Sequence, residues 1–111
     1  MDTIVDLNEI VSVTMDSYAD RCPLSEGLEL ERVYNVDAGH FELLCVGWEN
    51  QRRVHGCILH LDVKDDKVWI QHDGTEDGIA SALVAAGIPK DQIVLAFHPP
   101  YKRPYTGYAV A

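Results

Sequence analysis

The feature that most constrains the fold is a pair of alternating apolar segments on either side of Asp65-Asp66. Apolar residues recur there at every second position, which is typical of β-strands with one buried face. A two-residue loop joins neighbouring antiparallel strands in a hairpin. The sequence therefore predicts a hairpin with three opposite pairs, which are Lys64 with Lys67, Leu61 with Ile70, and Leu59 with His72.

This register assigns the hairpin residues to two faces of a sheet. The face expected to point into the core carries Cys57, Leu59, Leu61, Val63, Val68, Ile70 and His72. The reverse face carries Val54, Ile58, His60, Asp62, Trp69 and Gln71, joined by Leu44, Val46 and Trp48 of the preceding strand. An apolar patch of that size is unusual on a monomer. Either a helix covers the reverse face or it is a contact surface.

The remaining segments complete an α+β domain. Helical spacing predicts a first helix over residues 2–20, with an apolar stripe of Ile4, Leu7, Val11, Met15 and Tyr18. The predicted strands are 28–36, 40–49, 53–63, 67–72 and 93–97. A second helix follows Asp73-Gly74, with Asp73 or Thr75 as N-cap, and the proline-rich tail from His98 forms an extended arm. We predict one domain, 1–111, with a mostly antiparallel four- or five-stranded sheet and two main helices.

The charge distribution argues against unaided binding to nucleic acid. The net charge is −9, and the whole excess of acidic residues lies in residues 1–49. Such a surface repels phosphate, because nonspecific affinity for DNA depends on lysine and arginine. A basic protein surface is therefore the partner that the composition favours.

Two further observations bear on the compartment. The chain lacks an apolar run of the roughly 18 residues that a membrane span needs, and MDTIVDLNE lacks the basic start of a signal peptide. The three cysteines, Cys22, Cys45 and Cys57, show no CxxC spacing. We expect a cytoplasmic protein with reduced cysteines that act as small apolar residues.

A polar site is the alternative interpretation of the same strands. It would lie around His60, Asp62, His72, Asp73 and His98 and would make the protein a small enzyme or a ligand-binding protein. In the register above, His60 and His72 point to opposite faces, so they cannot share a metal ion. A loop one residue longer or shorter would reverse that objection. Because no motif makes these residues converge on one point, the sequence predicts no catalytic residue, metal site or cofactor.

Aromatic and basic residues define the candidate partner-binding surface. The reverse face supplies Trp48, Ile58 and Trp69, and two basic dipeptides follow in a turn and in the C-terminal arm. The full set is Trp48, Arg52, Arg53, Ile58, Trp69, Tyr101, Lys102 and Arg103. The same surface would also allow a symmetric homodimer.

Three motifs resemble a known family. They are VGW-x-N-x-RR-V-x-G from Val46, WIQHDGTE-x-GIA from Trp69 and FH-x-P-x-KR from Phe97. With the ending YTGYAVA, they resemble the XisI family over residues 3–111. The resemblance implies a small α+β protein that acts as an excision controlling factor.

The resemblance also implies a setting and partners. The family takes its name from a requirement in excising the fdxN element from cyanobacterial chromosomes during heterocyst differentiation, whereas a separate site-specific recombinase carries out the DNA recombination. A co-encoded companion, XisH, resembles nuclease-fold proteins. The resemblance supplies no catalytic residue, so we expect a noncatalytic factor that binds an XisH-like protein, with a site-specific recombinase as a second candidate partner.

Overall fold

Five strands form one mixed sheet with two main helices in this computed structural model, which describes residues 6–111. In chain order the elements are α1 (Leu7–Arg21), β1 (Leu28–Asn35), β2 (His40–Glu49), β3 (Arg52–Lys64), β4 (Lys67–Asp73), α2 (Ile79–Ala85) and β5 (Ile93–Leu95). The strands lie side by side in chain order, antiparallel from β1 to β4, and β5 joins β4 in parallel. Strand β3 is central, and the predicted α+β class is confirmed.

Helix α1 lies over the sheet along the predicted apolar stripe. Asp6 is its N-cap, and the Asp6 carboxylate accepts a hydrogen bond from the backbone N–H of Glu9 at 3.2 Å. Leu7, Val11 and Met15 are buried in the core, as the spacing predicts. The predicted first turn, residues 2–5 with Ile4, lies outside the described residues.

The hairpin between β3 and β4 turns at Asp65-Asp66. Both aspartates have positive φ, 53° and 58°, as a type I′ turn requires. The pairs nearest the turn are as predicted, but a β-bulge at Gln71 then shifts the register. Beyond the bulge, Leu59 lies opposite Asp73, and His60 lies opposite His72. The predicted pairing of Leu59 with His72 is wrong, because the extra residue sets two residues of β4 against one of β3.

A second bulge, at Ile58, shifts β3 against β2. Leu43 pairs with Leu59, whereas Leu44 pairs with Cys57, so Ile58 has no opposite residue. Residues directly opposite each other share a face. Cys57 therefore lies on the reverse face with Leu44, and Val54 lies opposite Gly47 on the helix-covered side. The predicted faces of Cys57 and Val54 are wrong for this reason.

Helix α2 begins later than predicted. Its N-cap position is Gly78, and Glu76 and Asp77 precede the helix instead of forming its first turn. The Asp73 carboxylate nevertheless accepts the backbone N–H of Ile79 at 2.7 Å, and it also accepts the N–H and hydroxyl of Thr75. From the end of β4, the Asp73 carboxylate thus accepts a hydrogen bond from a backbone N–H at the start of α2, which is the role of an N-cap side chain.

The C-terminal tail packs along its own sheet. It contains a 3₁₀ turn, Pro100–Tyr105, instead of a wholly extended arm, and Ala109 then forms a parallel bridge to Val94. Arg103 holds this segment together, because its guanidinium donates to the carbonyl oxygens of His98, Ala96 and Val110 at 3.0, 3.4 and 3.4 Å.

The core lies between the helices and one face of the sheet. Its fully buried sheet residues include Phe41, Leu43, Leu59, Leu61, Val68, Ile70 and Ile93, packed against α1 and α2. The opposite face of β1, β2 and β3 carries no helix among residues 6–111, and we call it the open face. By register it comprises Glu29, Glu31, Val33, Asn35, His40, Glu42, Leu44, Val46, Trp48, Arg53, His55, Cys57, His60 and Asp62.

Candidate functional site

A histidine–carboxylate cluster lies on the open face where β2 pairs with β3. His40 lies opposite Asp62, and Glu42 lies opposite His60. The His40 ring bridges two carboxylates, with Nδ1 at 2.7 Å from Asp62 Oδ1 and Nε2 at 2.7 Å from Glu42 Oε2. The amide of Gln71 donates to the other carboxylate oxygen of Asp62 at 3.2 Å. Antiparallel register therefore builds the cluster from residues far apart in sequence.

His40 is polarised by its two carboxylate neighbours. The hydrogen bond to Glu42, and then the one to Asp62, raise the pKa of His40 above its ordinary value. Gly39 allows the backbone before His40 to approach β3 closely. It has a φ of 67°, and a Cβ at this position would overlap the carbonyl oxygen of Val63. The chain can thus bring His40 close to β3 only with glycine at that position.

The His60 ring completes the cluster from the neighbouring strand position. The His40 and His60 ring centroids are 4.7 Å apart at an interplanar angle of 68°. His60 Nε2 lies 3.4 Å from Asp62 Oδ1, but the two atoms lack hydrogen-bond geometry. That nitrogen is inaccessible to solvent and has no hydrogen-bond partner among residues 6–111. An imidazole nitrogen is thus held beside a carboxylate oxygen with its lone pair or proton unused.

The structure divides the polar set expected from the sequence. His60 and Asp62 belong to the cluster, and His72 lies opposite His60 on the same face, so the argument from opposite faces is wrong. The ring nitrogens of His72 nevertheless lie outside the group of converging atoms. Asp73 instead caps the start of α2, and His98 lies in the C-terminal segment beside Phe97.

Sequence reasoning missed His40 and Glu42. The alternation of β2 assigns both residues to the face of Leu44. To identify the cluster, one must also know which residues of β3 lie opposite them. His40 and Glu42 pair with residues 22 and 18 positions away in sequence, which no local spacing reveals. The turn at Asn50, with a φ of 59°, and the bulge at Ile58 together set that register.

The aromatic and basic residues at the far end of β2 are exposed. Trp48 is 54% exposed, and the Arg53 guanidinium lies 5.6 Å from its ring centroid. Arg52 pairs with Glu49 at 2.7 Å on the turn. These three candidate residues, Trp48, Arg52 and Arg53, therefore form one surface group at the β2–β3 turn.

Other candidates for the partner surface are covered. Trp69 lies under two cations of the same chain, Lys64 at 4.4 Å and Arg103 at 5.9 Å from its ring centroid. Ile58 is half-buried in the bulge and contacts the core. The Arg103 guanidinium is engaged by three carbonyl oxygens. The arm thus covers Trp69 of its own chain. The sequence alone did not decide what covers this residue.

The remaining candidates lie on the outside of the arm. Tyr101 is 72% exposed, and Lys102 beside it is also exposed. The arm packs over Trp69, the neighbour of Asp62, whereas Trp48 is eight residues along β2 from His40. At the rise of a β-strand, these eight residues span about 26 Å. The candidate residues therefore form two separate groups.

A cleft of about 670 Å³ lies on the other side of the molecule, between the end of α1 and the loop before α2. Tyr18, Arg21, Thr75, Glu76 and Asp77 contribute to its walls. The Gly74–Gly78 segment lacks the lysine and glycine spacing of a phosphate loop. Its two acidic residues make this cleft a poor anion site.

The cysteines show no arrangement for nucleophilic catalysis within the described part of the chain. All three are free and half-buried. The Cys57 thiol donates to the carbonyl oxygen of Leu59 at 3.2 Å. Burial, and then the charge of Glu42, raise the pKa of Cys57, which is the opposite of thiol activation.

This fold and site define a small α+β protein with one face of its sheet under helices and a histidine–carboxylate cluster on the other. The model of the family described as XisI protein matches residues 1–110, so the chain belongs to the XisI family. The resemblance inferred from the motifs is thereby confirmed. No curated protein matches the chain. None of the helices within residues 6–111 is long and apolar enough to cross a membrane.

Two solved structures are similar over nearly the whole chain. A XisI-like protein from Anabaena variabilis is 35% identical, with a TM-score of 0.87, and the match covers 94% of this chain and 95% of that one. The fdxN element excision controlling factor XisI from Anabaena variabilis is 29% identical, with a TM-score of 0.78 and 96% coverage of both chains.

Proposed function

We propose that this protein is a noncatalytic accessory factor that controls excision of a DNA element by binding a partner protein through its open face. Membership of the XisI family and the similarity to an excision controlling factor support the role in excision control. The proposal places the protein in the cytoplasm, where an excision system meets chromosomal DNA.

The uncovered side of the sheet is the observation that carries the proposal. Both main helices pack on the opposite face, and the arm covers only the part around Trp69. Trp48 stays 54% exposed at one end of the open face, flanked by Arg53. Exposed tryptophan and arginine are the residues that most often dominate the free energy of protein binding.

Charge indicates what kind of partner fits. Glu29 and Glu31 are exposed on β1 at the edge of the open face, beside the strand that carries Trp48. A basic protein surface complements these carboxylates and would speed association at low salt. We propose an XisH-like companion as that partner, with a site-specific recombinase supplying the DNA chemistry.

The described residues also support a noncatalytic role. The pKa of the Cys57 thiol is raised and its proton is donated to a backbone carbonyl, so it is not an activated nucleophile. The net charge of −9 disfavours direct contact with DNA. Both observations fit a protein that acts through a partner.

Capture experiments test this proposal. The tagged protein, expressed with the companion encoded beside it, should retain that companion on affinity resin. The double variant Trp48→Ala/Arg53→Ala should lose it, because truncation removes the exposed ring and the guanidinium beside it. Circular dichroism should show that the variant stays folded, since both side chains are exposed.

A matched control lies on the helix layer. Val13 is 60% exposed on α1, away from the open face, and Val13→Ala likewise truncates an exposed apolar side chain. This variant should capture the companion as well as the unmutated protein does. Equal capture by the double variant, or normal excision in cells that lack the protein, would refute the proposed function.

A further inference from the structure

We propose that His40, His60 and Asp62 form a binding site for a divalent transition-metal cation such as Zn²⁺. The ligand atoms are His40 Nδ1, His60 Nε2 and Asp62 Oδ1 on the open face. The site is independent of the proposed partner binding, which involves the exposed residues around Trp48 at the other end of β2.

The three side chains offer ligand atoms that converge. One atom from each residue lies within 4.8 Å of the atoms from the other two. His60 Nε2 and Asp62 Oδ1 are 3.4 Å apart. In a tetrahedral zinc site with bonds of about 2.0–2.1 Å, neighbouring ligand atoms are separated by about 3.3–3.4 Å. The distance between His60 Nε2 and Asp62 Oδ1 therefore already matches one edge of a tetrahedral zinc site.

The unused nitrogen of His60 strengthens the argument. Its Nε2 atom is shielded from solvent, and it forms no hydrogen bond within residues 6–111. An unpaired buried polar atom costs free energy, and native structures normally satisfy such atoms. A cation bound between His60 and Asp62 would use that nitrogen as a ligand.

The surroundings orient the ligands as in known metal sites. Glu42 Oε2 lies 2.7 Å from His40 Nε2 and can accept a hydrogen bond from that nitrogen, so a metal would take the place of the proton now held between Nδ1 and Asp62 Oδ1. Gln71 donates to Asp62 Oδ2 at 3.2 Å, which leaves Oδ1 facing the two rings. Histidine ligands typically donate their second nitrogen to a carboxylate, which fixes the tautomer and increases ligand basicity.

The ligand types select the class of metal. Two imidazoles and one carboxylate suit zinc, nickel, cobalt or iron, whereas magnesium and calcium prefer oxygen ligands. Three protein ligands leave a coordination position open to solvent or to a partner residue. The His40 side chain is 38% exposed, so the cation can enter from the solvent.

Metal titration of the chelator-treated full-length protein tests the proposal. Calorimetry with Zn²⁺ should give one equivalent bound with a Kd below about 1 μM. Co²⁺ should produce visible absorption bands of a four- or five-coordinate complex. His40→Gln, His60→Gln and Asp62→Asn should each weaken binding by more than about 100-fold, and Glu42→Gln by about 10–100-fold.

Other histidines provide matched controls. His55 lies on the same strand and face as His60 but outside the cluster, and His98 lies in the arm. His55→Gln and His98→Gln should each change the Kd by less than about 2-fold, because neither removes a ligand or its hydrogen-bond partner. Capture of the companion protein should be the same with and without EDTA, because the metal site and the proposed partner surface are independent.

X-ray absorption of the zinc complex of the unmutated protein gives a second readout that does not depend on variants. It should show only nitrogen and oxygen ligands, including two imidazoles. The proposal is overturned if the protein binds less than one equivalent of zinc, if sulfur enters the ligand shell, or if the His55 and His98 variants weaken binding as much as the His60 variant does.

Discussion

At the scale of single residues, the turn between β3 and β4 contains local backbone strain. Asp65 and Asp66 both adopt the left-handed region, where a side chain is disfavoured. Aspartate tolerates that region better than most residues because its short carboxylate can bond locally. Glycine would remove the remaining strain at the second position.

We therefore expect Asp66→Gly to stabilise the protein. The Asp-Gly pair is preferred in type I′ hairpins, and the free energy of unfolding should rise by about 0.5–1 kcal/mol. Urea denaturation followed by circular dichroism measures the change. Asp37→Gly, in the neighbouring hairpin, serves as the comparison because Asp37 does not have a positive φ. A lower free energy of unfolding for Asp66→Gly would contradict this expectation.

Cys57 offers a second prediction at this scale. Burial and the charge of Glu42 raise its pKa, so less thiolate is present at any given pH than in the unfolded chain. In a protein with Cys22→Ser and Cys45→Ser, iodoacetamide should modify Cys57 more slowly at pH 8 than it modifies the urea-unfolded protein. The rate should rise as the pH approaches the raised pKa, and Glu42→Gln should increase it at pH 8. Equal rates in the folded and unfolded protein would refute the prediction.

At the scale of elements, the C-terminal arm depends on one side chain. The Arg103 guanidinium joins three backbone carbonyls of the segment and lies over Trp69. The prolines of the arm remove backbone donors, so this side chain replaces hydrogen bonds that a strand would have made. The arm also covers a ring that would otherwise lie on the surface of the sheet.

Arg103→Ala should release the arm without unfolding the sheet. In a Trp48→Phe background, the fluorescence of Trp69 should shift to longer wavelength as water reaches the ring. Limited proteolysis should then cut the chain after Lys102 faster than in the parent protein. Tyr105→Ala is the matched control because Tyr105 is 88% exposed on the same turn and its removal keeps the cleavage site. An unchanged spectrum for Arg103→Ala would show that the arm does not depend on this contact.

At the scale of the whole molecule, the sheet separates a packed side from an open side. The helices bury the core residues of β2, β3 and β4, whereas Trp48 on the opposite face is 54% exposed. The arm shields Trp69, so a test of self-association belongs at Trp48. A two-fold dimer through the open face would pair the same surface from both copies.

We expect such self-association in the absence of the companion protein. Light scattering at about 100 μM should find a dimer, since stable interfaces remain closed at that concentration. Trp48→Glu should give a folded monomer, because burying an unpaired charge is strongly unfavourable. The exposed Val13→Glu variant should remain dimeric. A monomeric unmutated protein at this concentration would contradict the homodimer.

The amino-acid sequence alone predicted the order of the main helices and strands and most of the core. Alternation predicted β2 as residues 40–49, as observed, and helical spacing predicted the buried Leu7, Val11 and Met15. The two aspartates predicted the hairpin between β3 and β4. These features depend on neighbours within a few positions, where side-chain period and turn chemistry are decisive.

The tertiary structure decided which side chains meet. Bulges at Ile58 and Gln71 reverse the faces expected for Cys57 and His72. A bulge forms where an extra residue lets two strands keep both their hydrogen bonds and their packing, so alternation within one strand does not reveal it. The meeting of His40 with Asp62 and the cover of Arg103 over Trp69 likewise depend on register and packing between distant segments. The candidate site is therefore a property of strand pairing, because pairing alone fixes which polar side chains share a face.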